Sequence, residues 1–419
     1  MSSTLANPSH MQNTARPAAT TVARPRVAVV CNSVTPYRRF LHERIVAETP
    51  EIELWTLCTH DNAYSRWTNA QPAAAIRQVD FGLRQPTNEQ TQFRYAWREW
   101  RKAGLVINWL KTNTPAAVFC QGCGDVGRLR LLRWCQRHGL PCLLYGDFNI
   151  KGDQVARWKR PLKRAVFETA IRAASGLMPC GERGQQLLER YGGGDKPSYR
   201  FPFFPDTRLL QDPPAVAVER VTERFGLDPQ RRRIVFSARM MPVKRPDLAI
   251  RAFAAIADER PNWDLVMVGD GVLREESEQR VPARLKDRVK WTGFLNDSAE
   301  MAAVYTQSDL LLLPSDAEPW GVVVVEAAAA GMAIVTTDVV GASPELVKAS
   351  RNGEIFTVSD LAALTQSLLK ATAVDRIDNY RNESLGVFQE WVAACDPVTG
   401  FRQVLHDLGL IKPSTAHSD

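Results

Sequence analysis

The chain has 419 residues, of which 45% are hydrophobic, and this length suits two domains with cores of ordinary size. Its formal net charge of +7 is divided unevenly, because residues 1–200 contain 29 Lys or Arg against 15 Asp or Glu, whereas the remainder contains 24 against 31. No apolar stretch reaches the ~18 residues that a membrane span requires and no signal peptide opens the chain, so we do not expect a membrane-spanning protein and expect a cytoplasmic one.

The chain opens with a segment of biased composition and then a strand. Residues 1–24 are rich in Ser, Thr, Ala, Pro and Asn, and we expect them to be disordered, together with the tail 411–419. The fold is predicted to begin at Arg26, where VAVVC forms the first strand and leads into the turn NSVTPYRR.

Two basic segments follow in the first half of the chain. In residues 93–111, aromatic and apolar side chains recur at helical spacing and the basic residues lie largely elsewhere on the helix. This pattern suits a helix lying on anionic lipid, and it suits a core-packed helix equally well. Residues 151–164 place Trp158 among five Lys or Arg side chains. We therefore predict either a peripheral contact with an anionic membrane surface or an anionic, lipid-linked acceptor. Nucleic acid is not expected as a partner, since no recognised binding motif accompanies the charge.

Four of the eight cysteines are close together in sequence. Cys120 and Cys123 form a C-x-x-C, with Cys135 and Cys142 downstream, which could indicate zinc ligands or a redox pair. The second spacing is too wide for a usual zinc site, Cys120 ends an apolar strand and Cys142 opens another. Free, mostly buried thiols account better for the pattern.

The second half of the chain begins after a Pro-rich stretch around Pro202 to Pro214, which predicts an interdomain linker at residues 206–230. A strand at Ile234–Ser237 then runs into a turn that carries Arg239 and Lys244, and a helix follows from about Pro246. The planar guanidinium of Arg239 and the compact ammonium of Lys244 suit the binding of a diphosphate. The alternative is that the two side chains are simply exposed to water, as basic residues on a loop usually are.

Two further strands end in glycine. DLVMVGDG ends at Gly269, and VKWTGF ends at Gly293 and Phe294. A single G-x-G is weak evidence for a phosphate site, because strand-to-helix turns need glycine for conformational reasons.

The segment PSDAEPWGVVVVEAAAAGMAIVTT carries the most informative pair. Glu326 lies inside an apolar run, and Glu318 lies eight positions before it. The apolar run lies between two segments with stronger strand character, and parallel strands need a crossover. We therefore predict a crossover helix from Gly321 to Ala330 that ends at Gly331. Its amino terminus would point free N–H groups at an anion in the crevice. A buried acid needs a polar partner: either a neighbouring Arg caps Glu326 within a core helix, or a ligand binds it.

The order of these landmarks, followed by GASPE, resembles the nucleotide-sugar-binding domain of retaining glycosyltransferases of family four over about residues 231–372. The match to that family's E-x7-E element is specific, although Trp320 replaces the commoner Phe. The resemblance implies that Glu318 contacts the donor sugar, that Glu326 holds the ribose hydroxyls, and that Arg239 and Lys244 bind the diphosphate. It also places the base near residues 291–295 and the donor against Trp320, Gly321, Gly293, Phe294 and Gly269.

The amino-terminal half resembles the family less specifically. NSVTPYRR stands where many relatives have a glycine-rich loop, so Thr35, Pro36, Tyr37 and Arg38 are expected on the acceptor side of the cleft. Many members also carry a His after the strand that corresponds to CLLYGDFN, and this chain has only Asp147 and Asn149 there. Asp147 is nominated to bond a donor-sugar hydroxyl, and an ordinary turn-forming Asp is the alternative.

The resemblance implies an α/β fold of the GT-B type, with two facing Rossmann-like domains and a cleft between them. We place the first domain at residues 25–205, the second at 231–385, and helices that cross back to the first domain at 386–410. The expected activity is retaining transfer from a nucleotide sugar, UDP-linked by preference, to a glycan or lipid-linked acceptor in polysaccharide or glycoconjugate synthesis, without a cofactor or metal. An epimerase or phosphorylase of the same architecture is disfavoured, and a catalytically silent relative that binds a nucleotide sugar or scaffolds a membrane assembly is the alternative.

Overall fold

The computed structural model describes residues 24–60, 76–82 and 93–412, and within these ranges the chain forms two six-stranded parallel sheets. The predicted disordered tails, 1–24 and 411–419, lie almost wholly outside the described residues. The first sheet consists of β1 (Arg26–Cys31), β2 (Glu53–Cys58), β3 (Arg77–Asp80), β4 (Ala117–Gln121), β5 (Cys142–Gly146) and β6 (Gly176–Pro179). The second consists of β7 (Arg232–Ser237), β8 (Trp263–Val268), β9 (Val289–Gly293), β10 (Leu310–Leu313), β11 (Ala333–Thr337) and β12 (Gly353–Phe356).

Both sheets have the same doubly wound strand order, β3-β2-β1-β4-β5-β6 in the first and β12-β11-β10-β7-β8-β9 in the second. The order reverses between β1 and β4 and again between β7 and β10, and the crevice at such a point is where open parallel sheets bind ligands. Helices cover both faces of each sheet, which explains why a strand such as β10 reads as four consecutive leucines, all fully buried. The predicted α/β fold with two Rossmann-like domains is therefore confirmed.

Helices alternate with the strands. In the first domain they are α1 (Pro36–Glu48), α2 (Ala96–Asn113), α3 (Val126–Arg137), α4 (Arg160–Ala173) and α5 (Glu182–Leu188). The connecting region and the second domain contain α6 (Arg208–Gln211), α7 (Ala215–Phe225), α8 (Pro246–Ile256), α9 (Arg274–Gln279), α10 (Ser298–Thr306), α11 (Val322–Ala329), α12 (Ser343–Leu346) and α13 (Leu361–Ala371). The predicted linker at 206–230 thus holds two helices, and α7 packs against α10. The bounds of the linker stay a prediction.

The last two helices, α14 (Ile377–Cys395) and α15 (Pro397–Asp407), carry the chain back to the first domain. Helix α15 packs against α1, where Arg402 is ion-paired with Glu51 at 2.8 Å. Phe401 is fully buried and stacks on Phe119 of β4, with 4.5 Å between ring centroids. The first domain therefore takes part of its core from the end of the chain.

The carboxyl ends of the two sheets face each other across a cleft. Asn149, which follows β5, donates from Nδ2 to the backbone oxygens of Glu318 and Val339, each at 2.9 Å. Glu345 joins the domains as well, since it accepts from the backbone N–H of Glu182 at 2.6 Å and is ion-paired with Arg200 at 3.1 Å. None of the described helices is long and apolar enough to cross a bilayer.

All eight cysteines are free thiols, and seven of them are buried. Within the described ranges, no three His, Cys, Asp or Glu side chains come together as a metal-binding group. The prediction of free, mostly buried thiols is confirmed.

Candidate active site

One wall of the cleft is built from the carboxyl ends of β7, β8 and β9. The backbone N–H of Gly269 donates to the carbonyl of Gly293 at 2.9 Å, and that of Ala238 donates to Val268 at 3.2 Å. Gly269 has a φ of 119°, and a Cβ there would lie 2.1 Å from the carbonyl oxygen of Ala238. Glycine is thus required at this position by both conformation and space.

Lys244 and Glu318 meet at the switch point of the second sheet. The turn after β7 is held to the loop after β10 by a hydrogen bond from the backbone N–H of Asp316 to the carbonyl of Val243, at 2.9 Å. Arg245 adds an ion pair to Asp316 at 3.2 Å. These contacts bring the Lys244 ammonium against the Glu318 carboxylate, and the two form an ion pair. Two residues predicted separately as site residues are therefore direct neighbours.

Glu326 belongs to α11, one turn beyond Val322, and both residues line the cavity in the cleft. Burial raises the pKa of Glu326 to about 7, and a hydrogen bond from the Tyr305 hydroxyl partly offsets this rise. Tyr305 Oη lies 3.1 Å from Glu326 Oε2 and 2.7 Å from Ser237 Oγ. The Tyr305 hydroxyl is thus a polar partner of Glu326, and Glu326 also lines the cavity in the cleft.

The cavity between the two domains has a volume of about 850 Å³. Its first-domain side includes Thr35, Tyr37 and Arg39 at the start of α1. Its second-domain side includes Ser237, Arg239, Gly269, Phe294 and Glu326. Five of the residues predicted from sequence thus share one cavity: Thr35, Arg239, Gly269, Phe294 and Glu326. A space of this size, with polar groups at its edges and apolar walls, is typical of a small-molecule site.

Trp320 is not among the cavity-lining residues of the described chain, contrary to its assignment as a donor contact. Its indole is 2% exposed, donates to the carbonyl of Phe203 at 3.3 Å and packs 6.2 Å from the Trp391 ring, measured between centroids. Trp320 therefore packs the domain junction.

Gly321 and Gly293 shape the site through their backbones. Gly321 has a φ of 92°, a conformation that favours glycine, and directly precedes the first turn of α11, where the crossover helix was predicted to begin. Gly293 has a φ of 67° and ends β9 directly before Phe294. Both glycines turn the chain at the cleft, and their contact with a donor stays a prediction.

Asp147 lies on the first-domain side of the cleft, beside Arg38. The Asp147 side chain is exposed to solvent, although the protein atoms around it raise the pKa of its carboxyl and the positive charge of Arg38 offsets part of the rise. The Arg38 guanidinium is buried, donates to the carbonyl of Ser33 at 2.8 Å and lies 5.3 Å from the Phe203 ring centroid. Asp147 is not among the described residues that line the cavity, and its role toward a donor sugar stays a prediction.

Sequence reasoning missed two polar side chains of the site. Ser237 ends β7 two positions before Arg239, so the placement of that strand could have indicated it. Tyr305 lies in α10, whose sequence gives no sign that its hydroxyl reaches a residue on another helix. Tyr37, which lies within NSVTPYRR and was predicted on the acceptor side of the cleft, lines the cavity beside Thr35.

Residues 218–382 match the protein family described as glycosyl transferases group 1. The chain is 27% identical over 358 residues to a D-inositol 3-phosphate glycosyltransferase of Streptomyces scabiei, which covers 78% of this chain and 76% of the relative. It is 34% identical over 226 residues to a 2-deoxystreptamine glucosyltransferase of Streptomyces kanamyceticus, covering 53% of this chain and 56% of the relative. The second match thus spans little more than half the length of either protein.

Solved structures with the same fold extend over nearly the whole chain. Anabaena HepE in complex with UDP superposes with a TM-score of 0.69 at 17% identity, covering 92% of this chain and 100% of HepE. Sucrose-phosphate synthase from Thermosynechococcus elongatus gives a TM-score of 0.71 at 15% identity, covering 92% and 99%. At these identities the likeness concerns the fold, which is the GT-B arrangement of glycosyltransferases.

Proposed function

We propose that the chain is a glycosyltransferase of group 1 and that it transfers a sugar from a nucleotide diphosphate sugar to a glycan or lipid-linked acceptor, with retention of anomeric configuration. One observation carries the proposal: Glu326, an acid with a raised pKa, faces a cavity of about 850 Å³ bordered by both domains. An ionisable group perturbed by burial in a cleft is a candidate for function.

We assign the ribose of the donor to Glu326. A carboxylate accepts two hydrogen bonds, and the two ribose hydroxyls can donate them, which would repay the cost of placing the acid on an apolar helix. The diphosphate is assigned to Arg239 and Lys244, and the donor sugar to Glu318. The ion pair between Lys244 and Glu318 supports this division, because it sets the sugar-binding and phosphate-binding groups side by side.

The leaving group then determines the chemistry. When the bond between the anomeric carbon and the phosphate oxygen breaks, negative charge grows on the departing nucleoside diphosphate. Arg239, Lys244 and the amino terminus of α11 behind Gly321 are placed to stabilise that charge. The acceptor hydroxyl attacks from the same face, and the departing phosphate takes its proton, so no protein side chain is assigned as general base. Domain closure would exclude water and limit hydrolysis.

UDP is the preferred nucleotide in this proposal. HepE, whose fold this chain shares, was crystallised with UDP and with UDP-glucose. The acceptor is assigned to the first-domain side, at Thr35 and Tyr37, and the basic character of that domain favours an anionic or lipid-linked molecule at a cytoplasmic membrane surface.

Melting of the purified chain with UDP, GDP and ADP, each with and without EDTA, tests the donor site. A nucleotide that binds only the folded state raises the melting temperature by mass action. A clear shift with UDP that EDTA leaves unchanged would support the assigned site and its independence from metal. If none of the three nucleotides shifted the transition, the catalytically silent alternative would replace the proposal.

A further inference from the structure

Large apolar side chains are exposed mainly on one part of the molecule. Among the described residues, six of the nine exposed large hydrophobic side chains lie on α2, α3, α4 or the turn before α4. They include every exposed Trp and Leu of that set. Trp97 and Leu162 are each 70% exposed and Trp158 is 77% exposed, which is unusual for residues of this size.

The three helices lie side by side, with α2 against α3 and α3 against α4. A Cβ on Gly127 would lie 2.5 Å from the carbonyl oxygen of Glu99, so the first turns of α2 and α3 touch. The first turns of all three helices lie at the carboxyl edge of the sheet, because helices that connect parallel strands begin where a strand ends. That edge is also the one that faces the cleft. Five exposed side chains mark the helix starts and are called here the helix-start rim: Trp97, Trp100, Val126, Trp158 and Leu162.

The charge around the helix-start rim is almost purely positive. Residues 93–111, 125–138 and 151–164 contain fifteen Lys or Arg and only three acids, Glu99, Asp125 and Asp153. Glu99 is ion-paired with Lys102 at 3.0 Å and Asp153 with Lys163 at 2.6 Å. Asp125 caps α3 and accepts from the backbone N–H of Arg128 at 2.8 Å. The basic side chains next to the rim tryptophans are exposed: Arg94, Arg98, Arg101, Arg157, Lys159 and Arg160.

We propose that the helix-start rim is the docking surface for a bilayer that contains anionic lipid, and that docking places the open edge of the cleft at the membrane. Exposed tryptophans surrounded by Lys and Arg have the composition of a surface that enters the lipid headgroup region. The core of a protein–protein contact is depleted of lysine and other charges, so the same composition disfavours a protein partner.

The rim is connected to the donor site through a short segment. Asn149 holds the backbone of Glu318, and Trp158 follows Asn149 by only nine positions. A docked rim would therefore lie beside the acceptor side of the cleft, where a lipid-linked acceptor could enter without leaving the bilayer. In this respect the inference rests on the proposed function.

Co-sedimentation of the full chain with phosphatidylcholine vesicles, with and without phosphatidylglycerol, tests the inference. We expect binding to the anionic vesicles that weakens as salt is added. Combining Trp97→Ser, Trp158→Ser and Leu162→Gln should lower the partition onto these vesicles by about tenfold or more. The control combines Val272→Ser and Val374→Ser, which remove exposed apolar side chains from the second domain and should bind like the unchanged chain.

Three results would overturn the inference: no binding of the unchanged chain to anionic vesicles, equal binding of the triple variant, or a rim-dependent dimer in light scattering, which would make the rim a contact between copies. The melting shift with UDP keeps the two proposals separable. A persistent shift without vesicle binding would reject only the docking surface, whereas absence of a shift would reject the donor site and leave the vesicle result standing.

Discussion

The ammonium of Lys244 and the carboxylate of Glu318 are 74 positions apart in sequence, and they form an ion pair in which the side chains are only 14% and 16% exposed. The two charges compensate each other within the proposed donor site, where each residue is assigned a part of the donor. A donor diphosphate must therefore compete with Glu318 for the ammonium, and the carboxylate thus released can turn to the sugar hydroxyls.

Lys244→Met should lower kcat/KM by about a hundredfold or more, because it removes positive charge from the leaving diphosphate. It also leaves Glu318 half-buried without its partner, so the melting temperature should fall. A double-mutant cycle with Glu318→Gln would measure the coupling, expected at about 1 kcal/mol or more. Lys286→Met, at an exposed lysine of the same domain, is the control. Full transfer activity in Lys244→Met would contradict the site assignment.

Glu326 makes the stability of the protein depend on pH. Its pKa is raised from an ordinary 4.5 to about 7, so between these values the folded chain holds a proton that the unfolded chain has released. Stability should therefore fall as pH rises through this window, and the loss should be complete above it. Glu326→Gln does not titrate, so its melting temperature should fall less between about pH 5 and about pH 8. Parallel curves for the two proteins would show that Glu326 ionises normally.

Tyr305→Phe tests whether the phenol orients Glu326. The change removes a hydroxyl shared by Glu326 and Ser237 and should cost about 1–2 kcal/mol of stability. Since the hydrogen bond lowers the pKa of Glu326, the pH at which donor binding is half-maximal should move upward in the variant. A UDP-sugar is the better ligand for this measurement, because its phosphates do not titrate in the range. If the variant lost stability but the pH profile of donor binding did not move, Tyr305 would contribute to packing and not to the orientation of Glu326.

The sequence was sufficient for features that depend on local pattern. The strand before Arg239, the glycine that ends α11 and the cavity position of Glu326 follow from periodicity, conformation and the resemblance to a family. The sequence was insufficient where a side chain contacts a residue of another helix or strand. Tyr305 gives no local sign of its contact with Glu326, and Trp320, chosen because it sits inside a motif, is buried at the junction of the domains. Such contacts depend on how elements pack, which a single sequence does not record.

Two glycines of the cleft should respond differently to alanine. Gly269→Ala would place a methyl group 2.1 Å from a carbonyl oxygen, so the ends of β7 and β8 must separate and the protein should melt far earlier or fail to fold. In Gly293→Ala no heavy atom lies within 4 Å of the new methyl group. The left-handed backbone conformation is then the source of strain, and it should cost about 1 kcal/mol of stability. Thermal melts of the two variants, made side by side, measure the difference. Equal melting temperatures would contradict the close approach at Gly269.

Glu345 should be important for holding the domains together. It accepts from Glu182 and Arg200 and also from Trp391 Nε1, at 2.7 Å. Glu345→Gln removes the charge and presents an amide to these donors, so unfolding by urea should show a loss of about 3 kcal/mol. Glu390→Gln, at an exposed acid paired with Arg351, should barely change stability. Similar effects of the two changes would place Glu345 among ordinary surface acids.

The return of α15 to the first domain affects how the protein is made. Domains usually fold in the order in which they leave the ribosome. Here Phe401, on which Phe119 of the first sheet stacks, is synthesised only after all six strands of the second sheet. The amino-terminal domain must therefore remain incomplete, with part of its core uncovered, until the second domain has been synthesised. A ribosome that stalls within the second domain would release a first domain that exposes apolar surface, which is a ready substrate for chaperones and proteases.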